Sequence, residues 1–156
     1  MVKSLSLICA VGALAVAGAA LAQSGSGLDP AVKARQAHMQ LYAHNLGILG
    51  GMARGNAEYS AEAAAAAAAN LAALSQLDQM SYWAPGTDSD TVEGSKTLPA
   101  LWENIPDAVA KGEALATAAV ALSETAGTGL EAVQAGLGPV GRACGSCHEA
   151  YQLSDN

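Results

Sequence analysis

The sequence predicts an all-α chain folded as an antiparallel four-helix bundle with a long loop between helices 2 and 3. Three observations carry this expectation. The 156 residues are 51% apolar yet only 4% aromatic, with no Phe; alanine, the best helix former, supplies much of the apolar share, whereas sheets draw on aromatic and β-branched side chains. Apolar residues recur at spacings of three and four in separate stretches, the period of one helix face. Short Gly- and Ser-bearing breaks join the first stretch to the second and the third to the fourth, which makes those pairs antiparallel neighbours. At roughly 100–200 residues per domain the length allows one domain. Seven basic residues stand against fourteen acidic ones, so the basic footprint of a nucleic-acid binder is absent.

Residues 1–22 read as a secretory signal peptide. Lys3 gives the positive start, residues 5–22 carry no charge, and Ala20-Leu21-Ala22 is an A-x-A cleavage signature that predicts cleavage after Ala22. The rival is a retained anchor, since eighteen apolar and small residues sit at the lower limit for a span; the cleavage signature and the Gly/Ser linker over 23–28 favour removal. Ile8 precedes Cys9, where a lipobox resembles a small residue, which argues against a lipid anchor. The mature chain then has six basic against fourteen acidic residues, a net charge of −8, and keeps only Cys144 and Cys147.

The folded unit is expected over 29–156. Asp29-Pro30 reads as N-cap and first helical residue. Val32, Arg35, Met39, Tyr42, Leu46 and Leu49 follow on one face, and the helix ends near Arg54-Gly55. Ser60 caps the second helix, an alanine tract whose seam runs on through Leu71, Leu74 and Leu77 or Met80. Residues 82–103 hold Pro85-Gly86, Asp88, Asp90, Gly94 and Pro99, a connection long enough to need a purpose; Tyr82, Trp83 and Trp102 are expected to pin it to the bundle. Pro106-Asp107 opens a third helix to about Thr125, with Val109, Leu115, Ala119 and Leu122 on one face. The fourth carries Leu130, Val133, Leu137, Val140, Cys144, Cys147 and Tyr151 at alternating spacings of three and four. Pro139 inside it is expected to bend it.

Cys144-Gly145-Ser146-Cys147-His148 carries the chemistry. C-x-x-C-H is the attachment signature of c-type haem. Two thiols three residues apart lie on one side of a helical turn and can add to the two vinyl groups on one porphyrin edge; the next residue then presents its imidazole to the iron. A redox dithiol expects a βαβ setting. A zinc site lacks a fourth ligand at fitting spacing, since His38 and His44 lie some hundred residues away. A plain disulfide leaves His148 without a role. The reading is one haem c, covalent through two thioether bonds.

With its C-terminal motif and helical pattern, the chain resembles the class II c-type cytochromes, the cytochrome c′ family, over nearly all its mature length. Arg35-Gln36-x-x-Met39 matches the first-helix motif, Met52-Ala53-Arg54-Gly55 the end of that helix, and Ala84-Pro85-Gly86-Thr87 the loop after the second. Leu137-Gly138-Pro139-Val140-Gly141 matches the approach to the haem motif and Tyr151 the aromatic after it. Gln152 departs from the pattern, where many members carry a basic residue.

The resemblance implies a periplasmic monohaem protein that is not an enzyme. Cys144 and Cys147 hold the haem, His148 is the proximal ligand, and Met39 stands on the distal face as a candidate sixth ligand of the low-spin branch. A Met/His pair raises the reduction potential and suits electron transfer; a Met on a helical seam is otherwise ordinary core filler. Arg35 and Gln36 are expected beside the haem, with Arg35 on a propionate. His38, about 100° round the helix from Met39, and His44 are expected off the seam and at the surface. The main expectation is electron transfer with periplasmic or membrane redox partners. The alternative is a five-coordinate high-spin cytochrome c′ that binds nitric oxide or carbon monoxide. The resemblance also implies a homodimer through the first two helices. A peroxidase would need a polar distal acid–base group, and the distal seam offers mainly Met39, Tyr42 and Leu46.

Overall fold

The computed structural model describes residues 28–154; the expected signal peptide and all but the last residue of the linker lie outside them. Helix α1 runs Pro30–Ala53, α2 Ala61–Ser75, α3 Ala100–Glu103, α4 Ile105–Thr125 and α5 Leu130–Tyr151. The four long helices, α1, α2, α4 and α5, pack as a bundle. The most extensive interfaces are α4 with α5 and α4 with α2; α1 meets α2 more broadly than it meets α5. None of the described helices is long and apolar enough to cross a membrane.

The ends of α1 follow from local chemistry. Asp29 Oδ1 accepts from the backbone N–H of Ala31 at 2.8 Å, satisfying a donor that the helix itself cannot. At the far end Gly55 takes φ +73°, its N–H donates to Met52, and Asn56 N–H reaches back to Gly51. This is a Schellman stop, and it needs a residue that tolerates the left-handed region. Ser60 Oγ caps α2 through Ala63 N–H.

The core is aliphatic and small. Leu49, Leu71, Leu122, Val32, Val133 and Val140 are its largest fully buried side chains. From the alanine tract, Ala64, Ala67, Ala68 and Ala72 are buried, so α2 seats close to its neighbours. A Cβ at Gly136 of α5 would come within 2.5 Å of Leu122 Cδ1, so glycine lets α5 approach α4 there without displacing that buried leucine.

Three expectations are corrected. The seam of α2 stops at Leu74: the helix ends at Ser75, and Leu77 and Met80 are exposed, because the chain turns into a 3₁₀ turn at Met80–Tyr82. His38 is buried, because the inward stripe of α1 is wider than one seam and the loop folds over it. Its ring meets Tyr42 edge-on at 4.7 Å and Tyr82 at 5.8 Å. Val109 is exposed rather than packed in the core, since it faces the cavity described below. Helix α5 continues through Pro139 as one element.

Candidate haem site

The relatively small α1–α5 interface leaves room for a cavity of about 680 Å³ walled by α1, α4, α5 and the loop, within the roughly 300–1,000 Å³ usual for cofactor pockets. Cys144, Cys147 and His148 line it from α5, and Arg35, Gln36 and Met39 line it from α1. All six sequence-predicted site residues therefore meet in one cavity, although they come from opposite ends of the chain. Leu46, Leu101, Val109 and Leu115 make much of the remaining wall apolar.

Both cysteines are free thiols and half-buried. Burial pushes both thiols above their usual range. The neighbouring Cys147 adds to this at Cys144; at Cys147, Lys111 opposes it and Asp107 adds to it. Two unpaired thiols one helical turn apart, followed by an imidazole on the same apolar cavity, are the donor set that a covalently held haem needs. Among the described residues no group of three or more His, Cys, Asp or Glu side chains is placed to hold a bare metal ion.

Arg35 is 4% exposed, and its guanidinium is spent on the loop. Nη1 donates to Tyr82 O and Thr87 Oγ1, both at 2.8 Å; Nη2 donates to Thr87 O at 2.6 Å and Ser95 Oγ at 3.3 Å. The same cation lies 5.1 Å from the Trp83 ring centre and 5.7 Å from that of Trp102, within cation–π reach. Burial lowers its pKa, and Asp29 and Asp88 oppose that shift. Gln36 Nε2 donates to Gly94 O at 2.9 Å. Both α1 side chains thus fasten residues 82–95 along the cavity. Trp102 Nε1 donates to Trp83 O at 3.0 Å, which ties the two ends of the loop together, and both rings meet the bundle at the Arg35 cation of α1.

The distal wall is poor in acid–base groups. Met39 is 37% exposed, facing the cavity with Tyr42, Ala43 and Leu46. Tyr42 is buried and its phenol is pushed up to about 12, chiefly by burial, so it stays neutral at ordinary pH. His38 is not on the cavity wall; burial lowers its pKa against a hydrogen bond to the Leu74 backbone, and its Nε2 has no hydrogen-bond partner.

Sequence reading missed the acceptors Thr87 and Ser95, the burial of His38, and the bond from Tyr151 Oη to Asp107. Thr87 stood in the Ala84-Pro85-Gly86-Thr87 motif, the one signal that pointed at it; the other contacts join segments far apart in the chain.

A helical bundle that turns two thiols and an imidazole into one apolar cavity defines a c-type cytochrome. The sequence profile of the Cytochrome C′ family matches residues 30–152. Cytochrome c-554 of Cereibacter sphaeroides is 39% identical over 140 residues, covering 90% of this chain and 92% of that protein. The solved cytochrome c′ of Rhodobacter sphaeroides superposes with TM-score 0.78 at 37% identity, covering 80% of this chain and 96% of that one. A nitric oxide complex of a variant of cytochrome c prime from Alcaligenes xylosoxidans matches with TM-score 0.68 at 32% identity, covering 80% and 94%. The chain belongs to the cytochrome c′ family. Its members are non-catalytic redox and gas-sensing proteins, typically periplasmic, and the family implies a single covalently bound haem c.

Proposed function

We propose that this chain is a periplasmic cytochrome c′, cleaved after Ala22, whose single haem c carries a His148-ligated five-coordinate iron that binds nitric oxide or carbon monoxide. In this reading Cys144 and Cys147 fix the porphyrin edge through two thioether bonds. When bound, the haem supplies a redox-active iron with one open coordination position. Met39, Ala43 and Leu46 line the cavity with apolar atoms that would shield such a position, and the neutral Tyr42 would offer it no base. Such a wall admits small neutral diatomics and disfavours hydroxide and other anions. Arg35 sets a positive charge on the cavity wall that would favour a haem propionate nearby, while its four Nη hydrogen bonds and the Gln36 bond to Gly94 O keep residues 82–95 in place.

The observation that carries the reading is the apolar stretch that Met39, Ala43 and Leu46 of α1 give to the cavity His148 also lines. The nitric oxide complex of the similar Alcaligenes protein supports it. A second reading is favoured by the identity of one side chain: Met39 places a thioether on that wall, and a thioether is an iron ligand. The protein would then be a low-spin electron carrier.

Optical spectra of ferric and ferrous holoprotein, with and without carbon monoxide, decide between them. A broad high-spin spectrum with ready carbon monoxide binding is expected. A weak far-red sulfur-to-iron band with sharp ferrous α and β bands, little gas response, and their loss in Met39→Ala overturns it in favour of electron transfer. Cytochromes c′ dimerise. For this chain we place the contact on α1 and α2, where Leu41 is 51% exposed beside the exposed alanines of α2; sedimentation of wild type against Leu41→Glu tests it.

A further inference from the structure

Asp107, in the first turn of α4, is not used by the reading above. Its Oδ2 accepts from Tyr151 Oη at 2.5 Å, and Lys111 Nζ, one turn further along α4, lies 3.5 Å from the same oxygen. Tyr151 is the last residue of α5, one turn beyond Cys147 and three residues beyond His148. It is buried, and its phenol is pushed up to about 12, with the bond to Asp107 as the first cause. The Asp107 carboxyl is correspondingly lowered, by the Tyr151 bond first; desolvation opposes this, and the charge and hydrogen bond of Lys111 add to the lowering. Lys111, Cys147, His148 and Tyr151 all line the cavity.

The position of this bond matters because helix ends fray, and His148 sits in the terminal turn of α5. The backbone beyond it is tied to the loop: Leu98 N–H donates to Tyr151 O, Leu153 N–H donates to Lys96 O, and Thr97 bridges Gln152. Those bonds hold the exit of the helix. The Tyr151–Asp107 bond is different, since it ties the terminal turn sideways to α4. A hydroxyl bonded to an ionised carboxylate is among the stronger side-chain contacts, and Lys111 keeps the carboxylate charged.

We propose that Asp107 is a positioning residue for the haem-ligating turn, acting through Tyr151 to fix the direction in which His148 presents its imidazole. The inference rests on the haem c reading of Cys144, Cys147 and His148. Partners that orient a metal-ligating group typically change metal-site affinity or activity by about 10–100-fold when removed; this contact lies one residue removed from the ligand, so the lower end applies.

The test uses haem-loaded wild type, Asp107→Ala, Asp107→Asn, Tyr151→Phe and the double variant Asp107→Ala/Tyr151→Phe. Resonance Raman of the ferrous iron–histidine stretch and carbon monoxide titration are read together, with thermal melting alongside. Asp107→Ala and Tyr151→Phe are expected to shift or broaden the stretch alike and to change the carbon monoxide dissociation constant by about tenfold. The double variant is expected to match either single one. Asp107→Asn keeps an acceptor for the phenol and is expected to stay close to wild type. Where Asp107→Ala does not fold, Tyr151→Phe, which removes a single oxygen, carries the test. A wild-type stretch and affinity in Tyr151→Phe overturns the proposal, as does an Asp107→Asn effect as large as that of Asp107→Ala. Wild-type protein with no covalent haem overturns the haem reading itself and is told apart by the absence of any haem spectrum.

Discussion

Replacing Arg35 by methionine tests whether the loop is held by this side chain. The change keeps an unbranched apolar stem between Trp83 and Trp102 and removes four hydrogen bonds. At about 1 kcal/mol net per bond the gross loss is about 4 kcal/mol, and the removed cation–π contacts add to it. Two effects offset this. Burying a guanidinium costs several kcal/mol that methionine does not incur. Thr87 O keeps a second donor in Ser95 Oγ, and Thr87 Oγ1 still donates to Ala84 O, so Tyr82 O is the acceptor left most exposed to loss. The balance is a destabilisation of about 3 kcal/mol. At about 4 °C per kcal/mol for a domain of this size, the melting temperature falls by about 12 °C. Urea melts of the haem-loaded protein, followed by circular dichroism and by the fluorescence of Trp83 and Trp102, measure the free energy, and thermal melts the temperature. Arg35→Lys is expected to be no better, because an ammonium cannot fork to acceptors on both sides and remains buried. A loss under about 1 kcal/mol in Arg35→Met, with unchanged tryptophan emission, refutes the reasoning.

Cys147→Ser is expected to leave a haem held through Cys144 alone, and the reduced pyridine adduct then shows an α-band moved to longer wavelength by one unsaturated vinyl group; an unmoved band contradicts the double thioether. Because burial lowers the pKa of His38, the unfolded chain binds a proton near pH 6.5 that the folded chain refuses. Stability is thus complete above pH 6.5 and falls as pH drops below it. Denaturation midpoints from pH 7.5 to 5 are expected to fall less in His38→Leu than in wild type, and parallel curves contradict this. Gly136→Ala gains up to about 1 kcal/mol of helix propensity but crowds Leu122 Cδ1 at 2.5 Å, an overpacking cost of about 1–3 kcal/mol; a net loss of about 1 kcal/mol is expected by chemical denaturation. With a net charge of −7, electron exchange with a basic partner is expected to slow as salt screens the attraction, and a salt-independent rate by stopped flow contradicts it.

The helices were legible because their signals are local. Asp29-Pro30, Ser60 and Arg54-Gly55 mark ends that the backbone then takes, and the three-four spacing of Val133, Leu137 and Val140 needs no knowledge of the partner helix. The C-x-x-C-H signature was legible for the same reason, since it occupies five consecutive residues of α5. What escaped was relational. His38 reads as surface from α1 alone, and it takes Leu74 of α2 and the fold of residues 80–82 back over the helix to bury it. The hold of Arg35 on the loop could not be read from α1, because its acceptors Thr87 and Ser95 come from a segment with no periodic signal. The second helix ends earlier than its leucines suggest, because a leucine or methionine can line a cavity mouth as readily as a core.

The two walls of the cavity come from opposite ends of the chain, Met39 on α1 and His148 on α5, about a hundred residues apart. A protein made from its N-terminus forward has its first three long helices in hand before the thiols emerge. Those helices share large interfaces or short links and can gather early, but the contact between α1 and α5 closes the longest loop in the bundle. Until α5 docks, the future pocket is an open trough with Met39 on its rim. Cys144 and Cys147 therefore follow the other three long helices, at a time when the trough is still accessible, and docking of α5 would complete the bundle and close the cavity in the same event.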